Sequence, residues 1–454
     1  MDNNNTQSIA NSIPTDEYMA TIDHRNEPMQ IFTGANVWIN GEFKKMDVAI
    51  NKGKVTDISN VITPSDMGST IINKVDECYL IPGLVDMHVH FREPGYSYKE
   101  TIATGSRAAA MGGFTTVCTM PNLNPAPDSL ENLQKQLDII DRDAVVQVIP
   151  YATITKKRMG NELVDYFALA PFVAGFSDDG SGVQDEEVMR EAMKGIAKTG
   201  KILAAHCEVN SLLKGGYIHD GEYARMHNHR GICSESEWRE VERDIRLSEE
   251  TGCRLHVCHI STKESVDLIR KAKARGVNVT CETGPHYLVF CDEDLQEDGR
   301  FKMNPPLRSR ADMEALIEGI ADGTIDVIAT DHAPHSKEEK SKGLEKSAMG
   351  VVGLETAFPA VYTHLVKTGI ISLERMVELM SINPRKILGL PATSGITVGM
   401  KGDLTVLDLR PERKVVGENF CSLGSATPFE GMNLYGSPVL TFCDGRGPLH
   451  FYKK

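Results

Sequence analysis

One apolar run in the sequence ends Asp86-Met87-His88-Val89-His90-Phe91-Arg92. Side chains alternate across a strand, so Asp86, His88, His90 and Arg92 are expected on one face. Met87, Val89 and Phe91 are expected on the other, toward surrounding helices. Two imidazoles two residues apart on a rigid strand form a chelating pair for Zn2+ or a similar divalent ion. His-x-His alone is a weak signal. It gains weight because His206 follows ILAA, His259 follows RLHVC and Asp331 follows DVIAT, each directly behind an apolar run. One such histidine is more often a satisfied core residue. Four histidines and a carboxylate at equivalent ends of one architecture read as a metal constellation. His256, three residues before His259 and of opposite parity, is assigned to structure.

The elements that must hold these residues can be read from rhythm. Between about Ile81 and Leu388, β-branched apolar runs (YLIPGLVDMHVHF, GFTTVCTMP, VVQVIPYATI, FVAGFSDD, ILAAHCE, RLHVCHIS, NVTCETGPHYL, DVIATDHAP) alternate with helix-like segments such as DEEVMREAMKGIAKTG and TKESVDLIRKAKARG. Near-continuous hydrophobic strands separated by helices indicate a parallel sheet buried on both faces. Eight of them in roughly 250–300 residues is the arithmetic of an α/β (β/α)8 TIM-like barrel, whose chemistry sits at the strands' C-terminal ends. Residues 28–80 instead show short alternating runs with hairpin turns at Asn40-Gly41 and Lys52-Gly53, and β-like material returns over 389–454. A small composite β-sandwich domain built from both ends is expected to flank a barrel over 81–388. Residues 1–27 are polar and aperiodic and read as a surface extension.

Composition narrows the function. The 454 residues carry 49 Lys+Arg against 63 Asp+Glu, a formal net charge of −14. Binding to nucleic acid or an anionic membrane needs a basic face, so neither partner is expected. An anionic substrate must be met by local cations in a pocket. The N-terminus lacks a basic and an apolar signal region, and no window approaches the roughly 18 apolar residues of a membrane span. The ten cysteines have no framework spacing and read as reduced, buried, inert thiols of a cytoplasmic protein.

VDMHVHFREPG, GGFTTVCTMPN, FSDDG, AAHCE, VCHIST, MNPPLR, TDHAPH and GLETAFP together resemble the amidohydrolase superfamily, specifically the bacterial class I dihydroorotases. The resemblance spans about Ile81 to Pro359. It implies a binuclear zinc hydrolase, two Zn2+ per subunit, acting reversibly on dihydroorotate to give N-carbamoyl-aspartate in pyrimidine biosynthesis. His88 and His90 hold metal on one side, His206 and His259 on the other, and Asp331 serves as both metal neighbour and proton carrier. Mn2+ or Co2+ can substitute at such a ligand set. Many superfamily members bridge the metals with a carboxylated lysine on strand four. Here strand four reads FVAGFSDDG, without lysine, and Lys156 and Lys157 fall on the preceding strand. A carboxylate must bridge. Parity alone leaves Asp178 and Asp179 open; the family's spacing, 27 residues before the strand-five histidine, gives Asp179.

The substrate's carboxylate needs a cation, and Arg92, one step beyond the ligands, has the fork for it. Pairing with Glu93 is the bland alternative. By resemblance His90, Asn122, Asn304 and His335 contact substrate, and the backbone at Met349 and Gly350 bonds the ring imide. Asn122 and Asn304 could equally be turn residues beside proline. Asp86 either bonds a ligand imidazole or ends its strand. HSKEEKSKGLEKSAMG reads as a mobile loop, a lid or simply solvated. His227 and His229 are expected at solvent or an interface, and Gly284 departs from the family beside His286. A homodimer is expected from the resemblance, and association with aspartate transcarbamoylase is compatible with an active enzyme. The rival activities are hydantoinase, dihydropyrimidinase and allantoinase, which normally need the strand-four lysine; a non-catalytic partner of a transcarbamoylase would have lost ligands that are present here.

Overall fold

The computed structural model describes residues 27–64 and 70–449, so all but Glu27 of the expected extension lies outside the described residues. Strands β1 Met29–Ile39, β2 Glu42–Asn51 and β3 Lys54–Ser59 form two successive hairpins. Their turns are the expected ones: Asn40-Gly41 and Lys52-Gly53 all have positive φ, which glycine and asparagine adopt readily and Lys52 adopts against its own preference. β4 Thr70–Lys74 and β5 Tyr79–Pro82 both run parallel to β1.

The parallel strands follow: β6 Leu84–Val89, β7 Phe114–Thr119, β8 Gln147–Pro150, β9 Gly175–Phe176 and β10 Ile202–Ala205. After a two-residue pair, β11 Ile218–His219 and β12 Gly231–Ile232, come β13 Arg254–Val257, β14 Val279–Thr283 and β15 Val327–Ile328. β6, β7 and β8 form one parallel sheet, and β9, β10, β13, β14 and β15 another. Parallel bridges Ala152↔Phe176 and Val89↔His332 join the two at both edges. β6, β7 and β10 are buried at every position, as strands covered on both faces must be. The chain is thus an α/β protein with a separate β-sheet unit.

That unit is completed by the C-terminal strands β16 Leu404–Lys414 and β17 Asn433–Phe442. β16 pairs antiparallel with β5 and β17, giving one seven-stranded sheet in the order β17-β16-β5-β1-β2-β3, with β4 on β1. The two chain ends therefore build one continuous hydrogen-bonded sheet. The run YLIPGLVDMHVHF, continuous in sequence, is divided at Gly83 between β5 of that sheet and β6. A Cβ at Gly83 would lie 2.1 Å from Thr115 Oγ1. Ser381 Oγ and Arg385 Nη2 donate to the Gly83 carbonyl at 3.0 and 2.9 Å, fixing the break.

The helices obey their sequence signals. Glu186–Ala197 starts at Asp185, whose carboxylate accepts from the amides of Glu187 and Val188, and buries Met189, Ala192, Met193 and Ile196 at helical spacing. Lys263–Ala274 starts at Thr262. The glycines after them, Gly200 and Gly276, have φ of 73° and 81°. One expected face is corrected. Val89 and Phe91 join the core cluster shared with the helices, but Met87 packs in a second cluster with Val85 of its own strand and with Cys118, Ile149 and Ala204 of other parallel strands. A register shift between Asp86 and Val89 in the β6–β7 ladder breaks the alternation there.

Candidate active site

His88 is the penultimate residue of β6 and His90 the first beyond it. Asp179 follows β9, His206 follows β10, His259 lies two residues past β13 and Asp331 three past β15. All six are buried. Asp179 stands at the centre. Its Oδ1 is 3.4 Å from His88 Nε2 and 3.5 Å from both His206 Nδ1 and His259 Nε2. Its Oδ2 is 3.6 Å from His90 Nε2. Asp331 Oδ1 closes the other side, 3.1 Å from His90 Nε2 and 3.5 Å from His88 Nε2. Asp331 and His259 have φ of 47° and 32°, a left-handed backbone that turns their side chains inward just past the strands.

The cluster fits a bound cation. His88 Nε2, Asp179 Oδ1 and His206 Nε2 are buried without a hydrogen-bond partner, a condition costing about 1–3 kcal/mol per group unless something else pairs with it. His88, His90 and Asp331 form one group with ligand spacing, and His88, Asp179 and His259 another. Burial alone would raise the Asp179 carboxyl, but His88 and the surrounding imidazoles hold it well below the usual carboxylate range. Asp331 is likewise lowered, burial being outweighed by His88 and His90. Both are therefore ionised at neutral pH and available as ligands.

Asp178, the other candidate bridge, points elsewhere. Its carboxylate accepts from the amides of Ile154 at 2.8 Å and Thr155 at 3.2 Å, and from Thr155 Oγ1. Lys156 and Lys157 are not on a strand as expected: they lie in the exposed 3-10 turn Lys156–Arg158 after β8, where Lys156 pairs with Glu162. Asp86 bonds neither imidazole. It accepts from the backbone amides of His88 at 3.0 Å and Thr330 at 3.2 Å, tying β6 to the end of β15, and burial pushes its pKa up to about 7.

Sequence reasoning missed Glu282 on β14. Its Oε1 lies 2.6 Å from His88 Nδ1 and its Oε2 3.1 Å from His256 Nε2. Glu282 is held far below the usual range by those two histidines despite burial. An ionised carboxylate only accepts, so His88 Nδ1 donates to it, and the ring turns Nε2 toward Asp179 and Asp331. His256, assigned to structure, thus bonds the same carboxylate that meets His88. A partial signal was present: Thr280 and Glu282 alternate with the apolar Val279 and Cys281, and a carboxylate within a strand asks for a partner. Cys258 forms a further group with His88 and Glu282, although burial raises its thiol pKa. None of the ten cysteines is in a disulfide, and all but Cys233 are buried.

Arg92 is buried, with φ 59°, beyond the end of β6, so strand parity does not govern where it points. Its Nε donates to the Pro334 carbonyl at 3.2 Å. Burial lowers its pKa, offset by the charges of Asp331 and Asp179. Glu93 does not neutralise it: that carboxylate accepts the Ile102 amide at 2.8 Å and caps the following helix. Asn122 Oδ1 lies 2.8 Å from His90 Nδ1, which fixes the orientation of that ring. Asn304 Nδ2 donates to Glu208 Oε1 at 2.9 Å, and its Oδ1 is buried without a partner. His335 Nε2 donates to the Met349 carbonyl at 2.7 Å, and its Nδ1 is 3.2 Å from Lys99 Nζ. Burial, with Arg92 nearby, lowers the His335 pKa to about 3, so the ring is neutral. Gly350 has φ 132° and donates its amide to Lys302 O at 3.0 Å. Away from this centre, His229 pairs with Glu297 at 2.8 Å and His227 stacks on Tyr223. His286 is buried with Nε2 unpartnered, its ring occupying the space a Cβ on Gly284 would need.

A family model described as "Dihydro-orotase-like" matches residues 78–265. A dihydroorotase of Fusobacterium nucleatum is 51% identical over 408 residues, 90% of this chain and 95% of its own. The chain belongs to the dihydroorotase family. A Staphylococcus aureus dihydroorotase is 46% identical over 419 residues, covering 92% of this chain and 98% of that one. Among solved structures, an L-hydantoinase (dihydropyrimidinase) from Arthrobacter aurescens superposes with TM-score 0.82 at 29% identity, covering 92% and 95% of the two chains. A dihydropyrimidinase from Brevibacillus agri gives TM-score 0.80 at 22% identity, over 92% and 94%, which is a likeness of fold. The hydantoinases share the architecture, while the dihydroorotases share about half of all residues. As a dihydroorotase the chain is a hydrolase of a small cyclic amide. No helix among the described residues is long and apolar enough to cross a membrane.

Proposed function

We propose that the dihydroorotase reaction takes place at the cluster of His88, His90, Asp179, His206, His259 and Asp331, with two Zn2+ per subunit. The observation that carries this is the position of Asp179. One carboxylate oxygen faces His88, His206 and His259, and the other faces His90, so a single side chain serves both halves of the ligand set without a lysine. A divalent ion held there supplies Lewis-acid polarisation of the ring amide and activates water at neutral pH. His-rich ligands with carboxylates favour zinc.

The chain's own residues do the rest. Asp331, ionised and beside His88 and His90, takes a proton from the attacking water as its oxygen bonds to the amide carbon. It returns that proton to the ring nitrogen as the C–N bond breaks, a base that becomes an acid. Run backwards, the same transfers cyclise N-carbamoyl-aspartate. Glu282 and Asn122 fix the rings of His88 and His90. Asn304 Oδ1 and the Met349–Gly350 backbone supply groups for the ring imide, with His335 beside them. Arg92 binds the substrate's carboxylate, the group that separates dihydroorotate from the rings of hydantoinases and dihydropyrimidinases. Arg92→Gln is expected to raise KM for dihydroorotate by about ten- to hundredfold, as loss of a charge-assisted bidentate contact does, while kcat changes much less. An unchanged KM in steady-state assays contradicts the docking role.

We further read the parallel strands as one closed (β/α)8 barrel running from β6 to about Leu388, flanked by the composite β domain, which takes in β5 Tyr79–Pro82 and so reaches two residues beyond the expected boundary at 80. The parallel bridges between Ala152 and Phe176 and between Val89 and His332 support closure.

A further inference from the structure

The segment Ser336–Gly350, legible in sequence only as a charged loop, is organised around one of its lysines. Lys337, Lys342 and Lys346 are exposed, but Lys340 retains 7% of its surface. Its Nζ donates to the carbonyls of Lys302 at 3.0 Å and Ala348 at 2.8 Å. Those carbonyls adjoin the two segments assigned above to the substrate ring: Lys302 lies two residues before Asn304, and Ala348 directly precedes Met349. The Lys302 carbonyl also accepts the Gly350 amide, so the two segments are joined twice at one oxygen. Around this point the packing is close. The Lys340 carbonyl accepts from Ser347 Oγ at 3.0 Å, and a Cβ at Gly299 would come within 2.3 Å of the same oxygen. The Ala348 amide donates to Glu339 O at 3.0 Å, and Lys302 Nζ donates to Glu345 O at 2.6 Å.

A lysine seldom gives up its hydration unless its donors are used. Here two are used on backbone carbonyls. Burial, with Lys302 nearby, lowers the Lys340 pKa to about 7. Either protonation form has two N–H groups for the two oxygens, so the contact is independent of that titration.

We propose that Lys340 is a positioning residue for substrate binding: by bonding the Lys302 and Ala348 carbonyls it holds the Met349–Gly350 backbone against the Asn304 segment as a preformed wall of the pocket. This rests on the reading that Asn304, Met349 and Gly350 contact the ring. Met fills the volume of Lys without its donors, so Lys340→Met removes the contact with little change of packing. It is expected to raise KM for dihydroorotate by roughly ten- to hundredfold, the scale of an ångström-level misplacement, with kcat and metal content near normal.

Asn304→Ala, run beside it, tests the underlying reading alone. A raised KM in both variants with kcat retained supports the proposal. A raised KM in Asn304→Ala with a normal KM in Lys340→Met overturns the proposal and leaves the reading standing. A normal KM in Asn304→Ala overturns both. Loss of metal and kcat in Lys340→Met contradicts a role confined to the pocket wall. The unmodified chain supplies a test that needs no variant to fold. The Ala348 and Gly350 amide hydrogens are expected to exchange slowly with and without dihydroorotate. Fast exchange that slows when dihydroorotate is added would make the segment a closing lid and overturn the proposal.

Discussion

Asp331→Asn is expected to keep its metal and lose about a hundred- to ten-thousandfold of turnover, the range a positioned proton carrier contributes. The amide oxygen of asparagine can still face His88 and His90, where Asp331 Oδ1 lies at 3.5 and 3.1 Å. What it cannot do is take a proton from water and return it to the ring nitrogen. Binding is expected to change little, because no separate substrate contact is assigned to this carboxylate. The effect should therefore fall on kcat in steady-state kinetics, with metal content followed in parallel. Turnover within about tenfold of the parent would remove Asp331 as the proton carrier.

The second large effect separates two adjacent aspartates. Asp179→Ala removes the carboxylate that reaches four imidazoles. It leaves their nitrogens crowded without a compensating anion. Metal affinity is expected to fall by more than the roughly 10–100-fold typical of a residue that only orients a ligand, and activity with it. Asp178→Ala removes bonds to Ile154 and Thr155. It is expected to cost stability, about 1–3 kcal/mol from stranded buried donors, while metal remains bound. Metal content after dialysis, read with a thermal melt, distinguishes them; metal loss in Asp178→Ala with retention in Asp179→Ala reverses the assignment.

Much of this centre was legible because a buried parallel strand has one vocabulary and its C-terminal end another. His206, His259 and Asp331 each stand where an apolar run stops, His88 and His90 alternate through the end of another, and no packing role accounts for all of them together. Alternation carried the argument as far as His88 and then failed. A register shift at Asp86–Val89 sends Met87 to a different cluster, and positive φ at Arg92, His259 and Asp331 places those residues beyond the reach of parity. Pairings across the fold were illegible for another reason. Glu282 lies 194 residues from His88, and nothing local in CETGPH says which imidazole it meets. The break at Gly83 is set by Thr115, Ser381 and Arg385, all distant in sequence. Lys340 could not be told from its neighbouring lysines, because burial on an irregular segment leaves no periodic trace. The choice between Asp178 and Asp179 was open to parity and rested on family spacing; the geometry places Asp179 among the histidines.

The most direct measurement is ring opening of L-dihydroorotate, followed by loss of its ultraviolet amide absorbance, with dihydrouracil alongside and both repeated after chelation. A dihydroorotase using a metal cluster and Arg92 should turn over dihydroorotate rapidly, leave dihydrouracil nearly untouched, lose activity on chelation and regain it with Zn2+. Comparable turnover of dihydrouracil would contradict the role of the carboxylate contact, and undiminished turnover in the metal-free protein would contradict the metal centre.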